Sequence, residues 1–419
     1  MYGNTETIKY RIQILPIEGL RIYKWKSEGT RNLCFAIVFN FVRSEGMDGE
    51  ELTEQETQLY DRQIRVWGAD AQRRLSKAHV LVCGIKGAVA EFCKNIVLAG
   101  IGSLTLVDNR LVTEEALSAN FLLPPDEGVF AGKTVAELCC DSLKDFNPMV
   151  RVSVDKGELS SFDEEFLKTF DVIVVSCCSL AEKKSVNEKC RNLPKRISFY
   201  TVDCRDSCGE IFVDLQHYTY AKKKLEDTVE CQLSYPSFEE AISVPWKTHP
   251  RRVSKLFYAL RVIEKFEEAE GRNPGETTIS DLPGVLKLKK ELCESQSLNE
   301  AHIPNALLER LVTNSKEFPP VCAIIGGILG QEVIKAISGK GDPLKNFFYF
   351  DAVDGKEAVE IVANKPSPSA GDKSSSNDKN PPMAGHSEAN SEAKTSHNGA
   401  ITVEKKKSTA YNNGPNKPF

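Results

Sequence analysis

No two of the thirteen cysteines stand as a CxxC pair, which removes the usual half of a tetrahedral zinc site. Cys139-Cys140 and Cys177-Cys178 are adjacent, and three residues separate Cys204 from Cys208. Cys83, Cys93, Cys139, Cys177 and Cys322 fall in apolar stretches, where reduced core thiols are the expected state. The chain is therefore expected to hold no metal and to work in a reducing compartment, cytosol or nucleus. An excess of positive charge is also missing. Lys and Arg number 54 against 59 Asp and Glu, a net charge of −5, which argues against gripping nucleic acid as the main task. It leaves room for a single arginine to handle ATP. The clean apolar run near the start, CFAIVFNFV (34–42), falls far short of the ~20 residues a bilayer requires. It also lacks the small-residue cleavage site of a signal peptide. Large apolar side chains are scarce in 364–419, so that tail is expected to be disordered. Its EKKKS run (404–408) is either a nuclear address or solvated charge. Residues 1–46 show no sustained period, and Met47 opens an acidic stretch. This extension is read as a poorly ordered leader or a gene-model artefact, and a search for native peptides upstream of Met47 decides between them.

Between the tails, residues 47–363 alternate strand and helix signals. Apolar β-rich runs at 79–85, 104–108, 171–176 and 197–203 read as buried strands of parallel type. Val89, Phe92, Cys93, Ile96 and Val97 recur at helical spacing, and 132–146 repeats the pattern before stopping at Asn147-Pro148. The rhythm predicts an α/β fold, a Rossmann-like doubly wound and largely parallel sheet. After 210–215 it gives way to helical signals at 252–269, 281–294 and 303–313, a helical insertion spanning about 246–315. An apolar helix at 321–338, with Gly326, Gly327 and Gly330, suits either core packing or a subunit interface. Segments 346–352 and 357–363 suit an antiparallel edge.

A strand ending at Gly84 and a helix starting near Val89 ought to place N–H groups where a phosphate can sit. Lys86 and Val89 occupy positions where glycines belong, leaving only Gly84 and Gly87. The turn is expected to be closed to nucleotide by bulk and by altered φ preference. Asp108 ends the second strand, where a carboxylate commonly meets a ribose hydroxyl; with the loop defective, an N-cap or surface carboxylate is the expectation. Arg62 lies in LYDRQIRVWG (59–68) beside Asp61 and Arg65. It is either a salt-bridge residue or a guanidinium that clamps phosphate oxygens.

LYDRQIRVWG followed by RLSKAHVLVCGIKGAVAEFCKNIVLAGIGSLTLVD (74–108) resembles the start of the non-catalytic subunits of heterodimeric E1 enzymes for ubiquitin-like proteins, most closely those serving SUMO, in plant-like wording. The likeness continues through 141–152, 199–215 and 318–351 and spans roughly 50–363. It implies half of an E1 (ThiF-type) adenylation domain. A catalytic partner subunit would bind ATP and Mg²⁺, adenylate the C-terminal glycine of SUMO and take the acyl group on its own cysteine before the SUMO E2 acts. Arg62 would reach into the partner's ATP site, and the location would be nuclear and also cytoplasmic. Departures from the active-half pattern agree: the loop is degenerate at Lys86 and Val89, Ser118-Ala119 replace an Asn-Arg pair, and Cys178 stands where an Asp follows the fourth strand. Cys177 and Cys178 are read as structural. A NEDD8 E1 regulatory subunit shares the opening but carries a longer helical insertion than 215–318 allows. An NAD(P)-dependent oxidoreductase would need the intact glycine fingerprint, and a pure scaffold would not need Arg62.

Overall fold

The computed structural model describes the backbone of residues 10–17, 20–27, 33–39 and 52–360, apart from 114–115, 225–226, 251–252, 315 and 354–355. The tail at 364–419 and the stretch around Met47 lie outside the described residues. Tyr10–Ile17 (β1), Leu20–Ser27 (β2) and Leu33–Phe39 (β3) pair as an antiparallel meander, regular backbone in a region whose sequence shows no clear period.

Three helices, Glu54–Leu59 (α1), Asp61–Trp67 (α2) and Ala69–Lys77 (α3), precede the main sheet. The sheet begins with the expected unit: strand His79–Cys83 (β4), helix Gly87–Ala99 (α4) and strand Ser103–Val107 (β5). A short helix, Glu127–Phe130 (α5), leads to Val135–Phe146 (α6), which opens on a Thr134–Glu137 capping box. Strand Arg151–Val154 (β6), helix Glu164–Leu167 (α7), strand Val172–Val175 (β7), helix Leu180–Asn192 (α8) and strand Ser198–Arg205 (β8) complete the parallel part. Cys208–Asp214 (β9) turns back antiparallel. A separate hairpin follows, His217–Lys224 (β10) with Asp227–Ser234 (β11). The helical insertion comprises Phe238–Ile242 (α9), Lys255–Ala269 (α10), Leu282–Gln296 (α11) and Asn305–Thr313 (α12). Helix Pro319–Ser338 (α13) and strands Phe347–Asp351 (β12) and Lys356–Glu360 (β13) end the described chain.

The eight-stranded sheet runs β13-β12-β9-β8-β7-β4-β5-β6. β6, β5, β4, β7 and β8 are parallel, and β9, β12 and β13 add the antiparallel edge. β4 pairs β5 on one side and β7 on the other. Strand order reverses there, and such a point opens a crevice at the carboxyl ends of the strands. Because successive side chains alternate faces, Val80 and Val82 enter one apolar cluster with α4, α6 and α13, while Leu81 and Cys83 enter another with α8 and the insertion. Both faces of the sheet are therefore covered.

The glycines of α13 settle its place. A Cβ on Gly326 would lie 2.6 Å from the Ala88 carbonyl oxygen, and one on Gly330 would lie 3.3 Å from the Asn95 Cβ. The two backbones approach too closely for larger side chains, so α13 packs against α4 within this chain. Among the described residues α13 is the one helix long and apolar enough to cross a bilayer, but 89% of that window is buried inside the fold. It is a core helix.

Candidate functional site

Gly84 has φ +78°, and a Cβ there would lie 2.1 Å from the Ser176 carbonyl oxygen. No other residue fits this turn between β4 and α4, which packs against the end of β7. Lys86, the N-cap of α4, has an ordinary extended conformation at φ −102°, and Val89 is buried in the core. Lys86 therefore carries no backbone strain at the head of α4. A residue remote in sequence also reaches that head. Glu317 is buried, and its Oε2 accepts the Ala88 N–H at 3.4 Å. Burial raises its carboxyl above the usual range, opposed by Lys86 and by the amides of Gly87 and Ala88. One of the N–H groups that would face phosphate oxygens there thus already donates to the protein's own carboxylate. No motif pointed to Glu317, because 229 residues separate it from Ala88.

A cleft of about 640 Å³ lies over this loop, lined among others by Lys86, Arg110, Ala119, Asn273 and Glu317. Asp108 is buried rather than on the surface. It accepts the Ile85 N–H at 2.7 Å and the Arg110 Nε–H at 2.8 Å, so it braces the turn and is neither an N-cap nor open to a ribose. Ser118 belongs to the short 3₁₀ turn Ala116–Ser118. Cys177 has φ +56°, and its N–H donates to Asp203 at 3.4 Å. Burial raises the Cys177 thiol and raises that of Cys178 well above the usual range, which suits inert thiols rather than a nucleophile.

Arg62 lies at the other end of α4. Gln63, its neighbour, donates to the Leu98 carbonyl at 2.9 Å. Asn147 donates to the Tyr60 hydroxyl at 2.9 Å and to the Val97 carbonyl at 2.8 Å. A Cβ on Gly100 would lie 2.4 Å from the Tyr60 ring. These contacts hold α2 against the C-terminal end of α4, and thirteen residues of helix separate that end from the loop by ~20 Å. Asp61 and Arg65 pair with each other through two contacts, at 3.0 and 3.1 Å. Arg62 is exposed, with no hydrogen-bond or ion-pair partner among the described residues. The structure therefore does not bring Arg62 together with the glycine loop of its own chain.

The sequence pattern of the ThiF family matches residues 60–370. SUMO-activating enzyme subunit 1B-1 of Arabidopsis thaliana is 72% identical over 319 residues, covering 76% of this chain and 100% of the relative. Subunit 1A of the same plant is 70% identical over 318 residues, covering 76% and 99%. SUMO-activating enzyme subunit 1 of Danio rerio is 32% identical over 345 residues, covering 75% and 97%. With a sheet whose strand order reverses at β4, a glycine turn at the carboxyl end of that strand and relatives matched almost end to end, the chain belongs to the ThiF family, among the SUMO-activating enzyme subunit 1 proteins.

Proposed function

We propose that this chain is the non-catalytic subunit of a heterodimeric SUMO E1, acting in the nucleus and cytoplasm. The catalytic partner holds ATP and Mg²⁺. The SUMO C-terminal carboxylate attacks the α-phosphate, pyrophosphate leaves, and a cysteine of the partner takes the acyl group as a thioester. This chain contributes shape and Arg62, delivered across the interface. The observation that carries the reading is the placement of Arg62, exposed and without a partner among the described residues, about 20 Å along α4 from a loop whose Ala88 N–H already serves Glu317. A guanidinium there cannot serve its own cleft and is free to clamp phosphate elsewhere. Around it Leu59, Leu98, Phe146 and Met149 are exposed, an apolar patch suited to a partner surface.

ATP–pyrophosphate exchange, measured for the catalytic subunit with and without this chain, tests the assignment. Exchange is expected only from the pair, and charging of SUMO by this chain alone would overturn it. The role of Glu317 has its own test. Glu317→Ala uncovers the head of α4, and the isolated variant is expected to bind tripolyphosphate with a Kd of about 1 mM. The unmodified chain should bind none in equilibrium dialysis. A folded variant that still binds nothing would assign the closure to the Lys86 loop itself.

A further inference from the structure

The absence of CxxC pairs argued against zinc, but the fold brings distant ligands together. Among the described residues, Cys204, Glu317 and Cys322 offer three ligand atoms within 4.8 Å of one another. They come from the end of β8, the segment before α13 and the first turn of α13. We propose that these three residues form a zinc site, with an open fourth position facing the adjoining cavity.

The geometry fits the ion. With Zn–S near 2.3 Å and Zn–O near 2.1 Å, a tetrahedral S···O edge is about 3.6 Å, and Cys322 Sγ lies 3.6 Å from Glu317 Oε2. The ligands are positioned before any metal arrives. Asp206 N donates to the Lys316 carbonyl at 2.9 Å, and Phe318 N donates to the Asp206 carbonyl at 3.0 Å. These bonds hold Glu317 beside the end of β8. Space for both sulfurs is kept by glycines: a Cβ would lie 2.9 Å from Cys322 Sγ on Gly87 and 3.2 Å from Cys204 Sγ on Gly209.

Charge and access fit as well. Two thiolates and a carboxylate around Zn²⁺ leave one net negative charge, and Lys86 lines the same cavity as Cys204 and Glu317. Cys204 and Glu317 both line that cavity, so a water entering it reaches two of the three ligands. The Ala88 N–H on Glu317 supplies the outer-shell hydrogen bond that orients a ligating carboxylate. A thiolate pair with one carboxylate selects zinc over magnesium or calcium. Each thiol loses its proton to solvent on binding, and no redox step is involved. The proposal does not depend on the E1 reading.

The test is a cobalt titration of the full chain, stripped of metal and kept reduced. One equivalent is expected to give thiolate-to-cobalt charge transfer and the intense visible bands of a tetrahedral site, displaced by Zn²⁺. Cys204→Ser and Cys322→Ser should each weaken binding by more than the roughly 10- to 100-fold that outer-shell changes cost. Cys231→Ser, outside the site, should leave it unchanged. Weak octahedral-type bands in the unmodified chain would overturn the proposal, and that spectrum decides even if a variant fails to fold. Binding retained in both serine variants, or a Cys204–Cys322 disulfide in place of the metal, would overturn it too.

Discussion

Arg62→Ala is expected to slow SUMO-adenylate formation by the heterodimer about 10- to 100-fold, roughly 1.4–2.7 kcal/mol of barrier, while assembly stays intact. Arginines inserted across interfaces supply roughly 10³-fold or more in other phosphoryl transfers. Pyrophosphate is a good leaving group, so a smaller share falls to the guanidinium here. Arg62 makes no hydrogen bond or ion pair among the described residues, so its loss should move stability by no more than about 0.5 kcal/mol. Losing an interaction that strengthens as charge develops lowers kcat rather than raising KM alone. Arg62→Lys should recover part of the rate, because an ammonium keeps the charge without the planar fork. Arg65→Ala is the control: Arg65 pairs with Asp61 in solvent, where such pairs contribute little. Pyrophosphate exchange at the unmodified rate in Arg62→Ala would leave the chain a scaffold only.

Arg261→Met carries the largest expected effect on stability, a loss of about 3–5 kcal/mol, read from chemical denaturation. Arg261 is buried on α10 and reaches Glu210 on β9 at 2.7 Å and Glu264 at 2.7 Å. Its guanidinium also lies 5.7 Å from the Phe257 ring centre and 6.0 Å from that of Phe347. It thus ties the helical insertion to the sheet. Lys183 contacts Asp203 and Glu264 in the same group and opposes the burial of Glu210 less than Arg261 does. Burial already raises the Glu210 carboxyl, and Arg261 is the main group opposing this. Removing Arg261 raises it further. A carboxyl raised in the folded state costs stability as pH climbs through its folded pKa, so the variant should lose more at pH 8 than at pH 5. Adding Glu210→Gln should recover part of the loss and flatten that pH dependence. Equal losses at both pH values would mean that packing, not charge, sets the cost.

How much of this the chain discloses by itself varies by element. The β4–α4–β5 unit is legible because both strands are buried on two faces and written almost entirely in apolar residues. Helix α10 is legible from Leu256, Phe257, Leu260, Ile263 and Phe266 on one face, and the antiparallel edge at 347–360 came from two apolar runs. Helix α8 is harder to see: its buried face includes Lys183 and Asn187, polar residues that only the surrounding carboxylates make tolerable. The β10–β11 hairpin is written in lysines and short alternation, which local patterning does not distinguish from loop. At the site, the degenerate glycines were visible, but the carboxylate that accepts the Ala88 N–H was not, since nothing local links Glu317 to Ala88. Asp108 was visible as a strand-end acid, yet its partners, Ile85 and Arg110, are set by the tertiary turn. Arg62 stood out in sequence as one of several charges; its separation from the loop follows only from the length of α4 and the anchoring of Tyr60 and Gln63.

That anchoring has a kinetic consequence. Tyr60, Gln63 and Asn147 fix the backbone that carries Arg62, so under the proposed role docking has little backbone left to order there and loses little conformational entropy. An arginine on a floppy leader would have to search for the nucleotide after each collision. Under the role proposed for Arg62 its backbone is pre-aimed, and damage to the Tyr60–Asn147 contact should slow adenylation by the pair although neither residue carries the guanidinium.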